Sequence, residues 1–391
     1  MSSTRKRLAI VTSHPIQYNA PWFKLLAQSA AIHPGVFYTW EQSAAGPKYD
    51  PDFSEKIEWN IPLLEGYEYR FVKNNAYDPG THHFRGLINP TLNEEITAWR
   101  PDAILIYGWS FESHLKCLRY FHKKIPILFR GDSTLLDEKP GIRKHLRRWF
   151  LKWVYGHIDH ALYVGSRNKD YFLKHGVRED QLVYAPHAID NGRFAEPDNA
   201  YRQAASEWRN RIGLAESDLV LLFAGKLEPK KNPFFLLEIA KRITDPRLKI
   251  VFAGTGVLET PLRKAAAADP RIKFIGFQNQ LQMPIVYRLG DIFILPSQGP
   301  GETWGLGVNE AMASGCAIMM SEKAGGALDL VEEGINGIRF KPGDIEKCSH
   351  WIGRLLEDRR LLTDMKAASR HRIASFSYQQ MMDALVNPGL F

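Results

Sequence analysis

Two carboxylates eight positions apart, Glu302 and Glu310, bracket a glycine-rich turn in the segment Ile294-Leu-Pro-Ser-Gln-Gly-Pro-Gly-Glu-Thr-Trp-Gly-Leu-Gly-Val-Asn-Glu-Ala-Met-Ala-Ser-Gly315. The apolar run before it reads as a strand, and Gly315 is the expected stop of a helix. Glu302 would then precede the helix and Glu310 lie in its second turn, roughly 9 to 12 Å further along at about 1.5 Å per residue. That separation suits a sugar ring at one carboxylate and the ribose of a nucleotide sugar at the other. Between them, the first amides of the helix, near Gly305 and Leu306, together with its dipole would face a diphosphate. A second segment, Leu222-Phe-Ala-Gly-Lys-Leu-Glu-Pro-Lys-Lys-Asn-Pro233, leaves another strand at Gly225 and supplies Lys226 and Lys231. Ammonium groups there would neutralise a departing diphosphate, where electrostatic help counts most. Basic residues beside a helix start are common, so this segment gains its meaning from the first.

These side chains need strands that end beside one another. Short β-rich runs alternate with helical stretches at Leu8–Thr12, Val36–Thr39, Tyr69–Val72, Ala103–Tyr107, Pro126–Phe129, Ala161–Val164 and Leu182–Tyr184. After a polar, proline-marked stretch from Pro186 to Asp218 the cycle restarts at Leu219–Phe223, Lys249–Phe252, Ile272–Ile275, Ile292–Leu295 and Cys316–Met319. Near-continuous apolar strands separated by helices imply parallel sheets covered on both faces. The expected architecture is α/β: two doubly wound Rossmann-like domains, residues 1–190 and 191–375, facing across a cleft. A last helix within 376–391 would complete the first. Residues 40–64 and 73–91 form long insertions rich in Tyr, Trp, His, Asn and Pro, suited to an acceptor or to padding the core. Arg130, after the strand ending at Phe129, would fix a phosphate or an acidic acceptor, with Asp132 orienting it or an acceptor hydroxyl. A structural Arg130–Asp132 ion pair is the alternative. His14 and Gln17, in the first strand-to-helix loop, would reach the sugar, or serve as cap and packing residues.

The 391 residues are 45% hydrophobic and 24% charged, enough apolar material for two cores and unlike a disordered chain. No run reaches the roughly 18 apolar residues of a membrane span, and the apolar stretch near the start is too short for a secretory signal. Cys117, Cys316 and Cys348 lack any CxxC spacing, so neither a disulfide framework nor a cysteine zinc site is expected, and a cytoplasmic setting fits. Asp50-Pro-Asp52 reads as a turn rather than a metal-binding DxD pair, so no cofactor and no essential divalent ion are expected. Net charge is +8. Between Lys116 and Lys152 there are eleven Lys/Arg against three Asp/Glu. There, residues 142–154 read as a helix with Ile142, Leu146, Trp149, Phe150, Trp153 and Val154 on one face and Lys/Arg on the other. Such a helix either packs its apolar face into the core or meets anionic lipid or a phosphate-bearing acceptor. Nucleic acid is disfavoured, since no zinc-finger or RNP-type motif is present.

At these residues the chain resembles family 4 of the retaining nucleotide-sugar glycosyltransferases, which have the GT-B fold. The family's E-x7-E pattern matches Glu302 to Glu310, followed by Ala311-Met-Ala-Ser-Gly315. Lys226 and Lys231 match its basic pair, although the first position is more often arginine. Gly276 and Phe277 look like its base-binding turn, and Ala324-Gly-Gly-Ala327 with Gly334-Ile-Asn-Gly337 like its donor-side loop. The resemblance spans residues 160–345. It implies that Glu302 holds sugar hydroxyls, Glu310 the ribose diol, and Lys226 with Lys231 the diphosphate. The first domain departs from the pattern: relatives often have a glycine pair in the first loop, and a histidine near Arg130. The expected function is metal-independent transfer of a sugar, with retention, from a UDP-sugar more readily than a GDP-sugar. The expected acceptor is a bacterial surface glycan or lipid-linked precursor, at the inner face of the plasma membrane. A non-catalytic nucleotide-sugar-binding or scaffold protein on the same fold is the alternative.

Overall fold

Runs of branched aliphatic residues with no polar alternation bury both faces of a strand, and here they build two parallel sheets. The computed structural model describes residues 5–41, 48–50, 55–57, 60–195, 199–386 and 388–391. β1 (Lys6–Thr12) and β2 (Ile32–Tyr38) precede a short antiparallel pair, β3 (Lys48–Asp50) and β4 (Glu55–Ile57). β5 (Glu68–Phe71), β6 (Ala103–Tyr107), β7 (Ile127–Arg130), β8 (His160–Tyr163) and β9 (Leu182–Tyr184) follow. Seven of these form one parallel sheet in the order β5-β2-β1-β6-β7-β8-β9. The second sheet, also parallel, contains β10 (Leu219–Ala224), β11 (Leu248–Ala253), β12 (Ile272–Gly276), β13 (Ile292–Leu295), β14 (Ala317–Ser321) and β15 (Gly337–Phe340), ordered β12-β11-β10-β13-β14-β15. Each sheet has its own core, one around Ile104, Ile106, Phe129 and Phe172, the other around Leu221, Phe223, Ile250 and Ile294.

The chain divides into two compact units. The first comprises Met1–Pro47, Ile61–Pro186 and Tyr378–Phe391, and the second Lys48–Asn60 and His187–Ser377. The closing helix Tyr378–Val386 lies in the first unit, where the Tyr378 hydroxyl donates to the Tyr18 carbonyl at 3.0 Å. Of the Asp50-Pro-Asp52 turn, Asp50 ends β3, whereas Pro51 and Asp52 lie outside the described residues, as does much of the 40–64 insertion.

Two segments add to the sequence reading. The polar stretch 186–218 that separates the two sets of strands contains the helices Asn191–Ala195 and Ala200–Arg211, and Arg209 donates to the Leu289 carbonyl at 3.1 Å. The helix Ile142–Tyr155 also turns differently from its predicted apolar face. It buries Leu151, Val154 and Tyr155, while Ile142, Leu146, Trp149 and Trp153 are 78%, 64%, 73% and 40% exposed. At 3.6 residues per turn those four form a stripe roughly opposite the buried one. The helix therefore has two apolar stripes, and the larger aromatic one faces solvent.

Candidate functional site in the second unit

In an open parallel sheet, ligands bind beyond the carboxyl ends of the strands where the strand order reverses. In the second sheet that point lies between β10 and β13, which pair side by side. The loop after β10 carries Gly225, Lys226 and Lys231; the loop after β13 carries Glu302. The two loops are joined by backbone: Gln298 N–H donates to the Lys230 carbonyl and its side-chain amide to Pro229, both at 2.9 Å.

Behind them, the loop after β11 fixes the height of the lysine loop. Gly225 N–H donates to Ala253 at 2.9 Å and Leu227 N–H to Thr255 at 2.8 Å. Gly254 N–H reaches Gly276 at 2.7 Å, linking the end of β12 and the neighbouring, half-buried Phe277 to the same array. Gly254 has φ +131°, and a Cβ there would stand 2.1 Å from the Gly225 carbonyl oxygen, so only glycine allows this approach.

The result is a preformed pair: Lys231 Nζ lies 2.7 Å from Glu302 Oε2, with side chains only 18% and 10% exposed. Ser297 Oγ donates to the same oxygen at 3.1 Å. Among the described residues, Glu302 Oε1 accepts no hydrogen bond. The Glu302 and Trp304 carbonyls accept from Gly325 and Gly326 at 2.9 and 3.0 Å, so the Ala324–Ala327 loop supports this segment from behind. Trp304 Nε1 donates to Asn309 Oδ1 at 2.9 Å, and Asn309 Nδ2 to the His187 carbonyl at 3.0 Å.

The helix Leu306–Ser314 starts from Gly305, whose φ of +99° places it in the left-handed region, and no side chain caps it. Its first amides, at Leu306 and Gly307, therefore retain donor capacity for an anion. Glu310, in the second turn, is 3% exposed, and the Tyr287 hydroxyl donates to its Oε2 at 2.7 Å. The second unit thus gathers Gly225, Lys226, Lys231, Gly276, Phe277, Glu302, Gly305, Leu306 and Glu310 on loops and a helix start at one end of its sheet. Sequence reasoning missed Ser297, Tyr287, Asn309 and Gly254. The first three act through their partners' positions, and Gly254 stands out only once Gly225 is known to lie beside it.

In the first unit the predicted residues are more scattered. Arg130 requires correction: it is 4% exposed and donates to the Ala185 and Pro186 carbonyls at 2.8 and 3.0 Å. Burial lowers its pKa, and nearby Tyr107 and Asp132 counteract the shift. It braces the chain leaving β9 rather than presenting a guanidinium to a phosphate. Asp132 lies near enough to act on it electrostatically, so the ion-pair reading captures the sign of that interaction but not the principal hydrogen bonds. His14 and Gln17 occupy the turn after β1. The His14 Nδ1 is 3.0 Å from Ser13 Oγ, and its ring meets Trp40 edge-on at 5.5 Å.

A histidine that sequence reasoning passed over, His114, is fully buried between Thr39 Oγ1 at 3.1 Å and the Tyr107 carbonyl at 2.9 Å. Burial holds its pKa down to about 4, against 6.5 for a free imidazole. Its folded pKa lies below the unfolded one, so its contribution to stability is complete above about 6.5 and is lost as pH falls towards 4. The full span is worth about 3 kcal/mol. Urea unfolding followed from pH 7 to pH 4.5 should show this loss, and His114→Gln should flatten that part of the profile.

Comparison with known proteins adds to this geometry. Residues 205–372 match the family Glycosyl transferases group 1. D-inositol 3-phosphate glycosyltransferase of Geodermatophilus obscurus is 31% identical over 226 residues, covering 54% of this chain and 48% of that protein. Sulfoquinovosyl transferase SQD2 of Arabidopsis thaliana is 31% identical over 310 residues, covering 75% of this chain and 57% of its own. The chain thus spans about half the length of these relatives. Alr3699/HepE of Anabaena, solved in complex with UDP, superposes with a TM-score of 0.72 at 18% identity, covering 97% of this chain and 99% of that one. At that identity the likeness establishes the fold, which is the two-domain α/β GT-B fold.

Proposed function

We propose that this chain is a retaining, metal-independent glycosyltransferase of the family 4 type, transferring a sugar from a nucleotide-diphosphate donor to an acceptor hydroxyl. The observation that carries this reading is the Lys231–Glu302 pair at 2.7 Å, held at the strand-order reversal beside an uncapped helix start. In this reading Lys231, Lys226 and the amides after Gly305 would neutralise a diphosphate between them. Glu302 Oε1 would hold a sugar hydroxyl, and Glu310, braced by Tyr287, the ribose diol. The named relatives being glycosyltransferases adds support.

In the proposed reaction the bond from the anomeric carbon to the diphosphate oxygen breaks, and both electrons leave with the oxygen. The acceptor oxygen bonds to the anomeric carbon from the face the diphosphate leaves, and the acceptor's proton passes to a phosphate oxygen. The protein's part is to stabilise negative charge on that leaving group and to hold the sugar. The lysines perform the task for which other transferases recruit a divalent ion.

Thermal-shift titrations with UDP, GDP and their sugars, followed by transfer assays with NMR of the product's anomeric configuration, test the proposal. UDP and a UDP-sugar should raise the melting midpoint most, with GDP as the competing outcome for the base. The product should retain configuration, and EDTA should leave turnover intact. An inverted product, or activity lost to EDTA and restored by manganese, would reject the mechanism.

We assign the solvent-facing stripe Ile142, Leu146, Trp149 and Trp153 to an anionic membrane surface carrying a lipid-linked acceptor of a bacterial surface glycan. Four large apolar side chains beside His145, Lys152 and Lys174 match lipid tails next to acidic head groups. Cosedimentation with phosphatidylglycerol vesicles should fall about tenfold in Leu146→Glu/Trp149→Glu, and wild type should not sediment with phosphatidylcholine alone.

A further inference from the structure

The insertion between β5 and the helix Leu92–Trp99 contains a cluster that the donor site does not use. Asp78, His82 and His83 direct their ligand atoms at one point: Asp78 Oδ2 is 3.2 Å from His82 Nε2 and 3.3 Å from His83 Nε2. All three ligand atoms lie within 4.8 Å of one another. In a tetrahedral zinc site with bonds of about 2.0 to 2.1 Å, ligand atoms stand roughly 3.3 Å apart. Two of the three edges already have that length, and small rotations of the two imidazoles would close the third.

The loop is built to hold this arrangement. Gly80 lets the His82 ring fold back over the backbone: a Cβ at Gly80 would lie 2.5 Å from His82 Cε1 and Nδ1. Gly86 permits a second close approach, since a Cβ there would stand 2.0 Å from the Gly80 carbonyl oxygen, and Gly80 N–H donates to Gly86 at 3.2 Å. Asn74 ties down the base of the loop, donating to the Gly86 carbonyl at 2.8 Å and accepting from Ala76 and Ile88 at 3.0 and 2.9 Å. His83 Nε2 also lies 3.0 Å from the Asp78 carbonyl, a contact that an ion would replace.

We infer that Asp78, His82 and His83 form a binding site for one divalent transition ion of the zinc class, which fastens residues 78–83 into a closed loop. Two imidazoles and one carboxylate favour zinc, cobalt or nickel over magnesium, which demands an oxygen shell. Three protein ligands leave a fourth position for water or a ligand oxygen. Its test reads binding rather than turnover, so it succeeds or fails independently of the proposed function.

The test is calorimetric titration of the chelator-stripped, untagged full chain with zinc chloride. One equivalent should bind in the micromolar range or tighter, and magnesium should give no heat. Cobalt should give the intense visible absorption of a four-coordinate ion. Asp78→Asn, His82→Gln and His83→Gln should each weaken binding at least about tenfold, with metal-free circular dichroism and melting unchanged, because these side chains are exposed or half-exposed. His350→Gln, in the second unit, should bind as the parent does. Millimolar affinity in the parent, or a titration unchanged in all three ligand variants, would reduce the cluster to a surface His–Asp ion pair and overturn the inference.

Discussion

Lys231→Ala is expected to lower kcat for sugar transfer roughly 100- to 1000-fold, the range seen when one preorganised group facing transition-state charge is removed. Lys231 is placed before any ligand arrives: the turn Pro229–Lys231, the two bonds from Gln298 and the contact with Glu302 fix where its ammonium group stands. Diphosphate charge grows as the glycosidic bond stretches, so the contact should matter more in the transition state than in the donor complex. The loss should therefore fall on kcat, with a smaller change in KM for the donor. Stability should also fall, because Glu302, only 10% exposed, is left without its ammonium partner; about 2 kcal/mol would lower the melting midpoint by roughly 4 to 8 °C. Lys231→Arg should recover part of the activity, limited by the shape of the guanidinium. If KM rises a hundredfold while kcat stays constant, Lys231 contributes uniform binding and the leaving-group role is wrong.

How much of this was legible in sequence depends on whether a residue acts locally or through a distant partner. Most strands of both sheets announce themselves as apolar runs, some interrupted by one charged residue such as Arg70 in β5 or Lys249 in β11. β15 escaped notice because Gly337-Ile-Arg-Phe340 follows directly on the Gly334–Gly337 turn, so it looked like the end of a loop. The spacing from Glu302 to Glu310 is visible because a strand, a glycine turn and a helix must share one short segment. The Lys231–Glu302 contact is different, since 71 residues separate the partners and only the adjacency of β10 and β13 joins them. Arg130 shows the limit from the other side. Its position at a strand end suggested a ligand, yet its buried guanidinium donates to carbonyls 55 and 56 residues away, which no local pattern reveals. In the helix Ile142–Tyr155 periodicity marks a single apolar face, whereas the core takes Leu151, Val154 and Tyr155 from another side, two of them outside that face.

Gly254→Ala should disable the site without touching any group that contacts a ligand. The added methyl carbon would sit 2.1 Å from the Gly225 carbonyl, a backbone atom that cannot rotate away, at a φ of +131° that alanine rarely adopts. Strained backbone of this kind costs about 1 to 3 kcal/mol, and the steric overlap adds to it. A total near 3 kcal/mol corresponds to a melting midpoint lower by roughly 6 to 12 °C for a unit of this size. The relief available to the chain is to separate the loops after β10 and β11, which breaks the Gly225–Ala253 and Leu227–Thr255 hydrogen bonds and lets Lys226 and Lys231 drift. Nucleotide affinity should then fall well below the parent's even at temperatures where the variant stays folded. Gly353→Ala provides the contrast, because a Cβ there meets nothing within 4 Å and the residue lies inside the helix Ile345–Glu357. Restricting the unfolded chain should stabilise that variant by about 0.4 to 1 kcal/mol and leave nucleotide binding unchanged. Equal melting midpoints for the two alanine variants would mean that the Gly225–Gly254 approach does not set the geometry of the lysine loop.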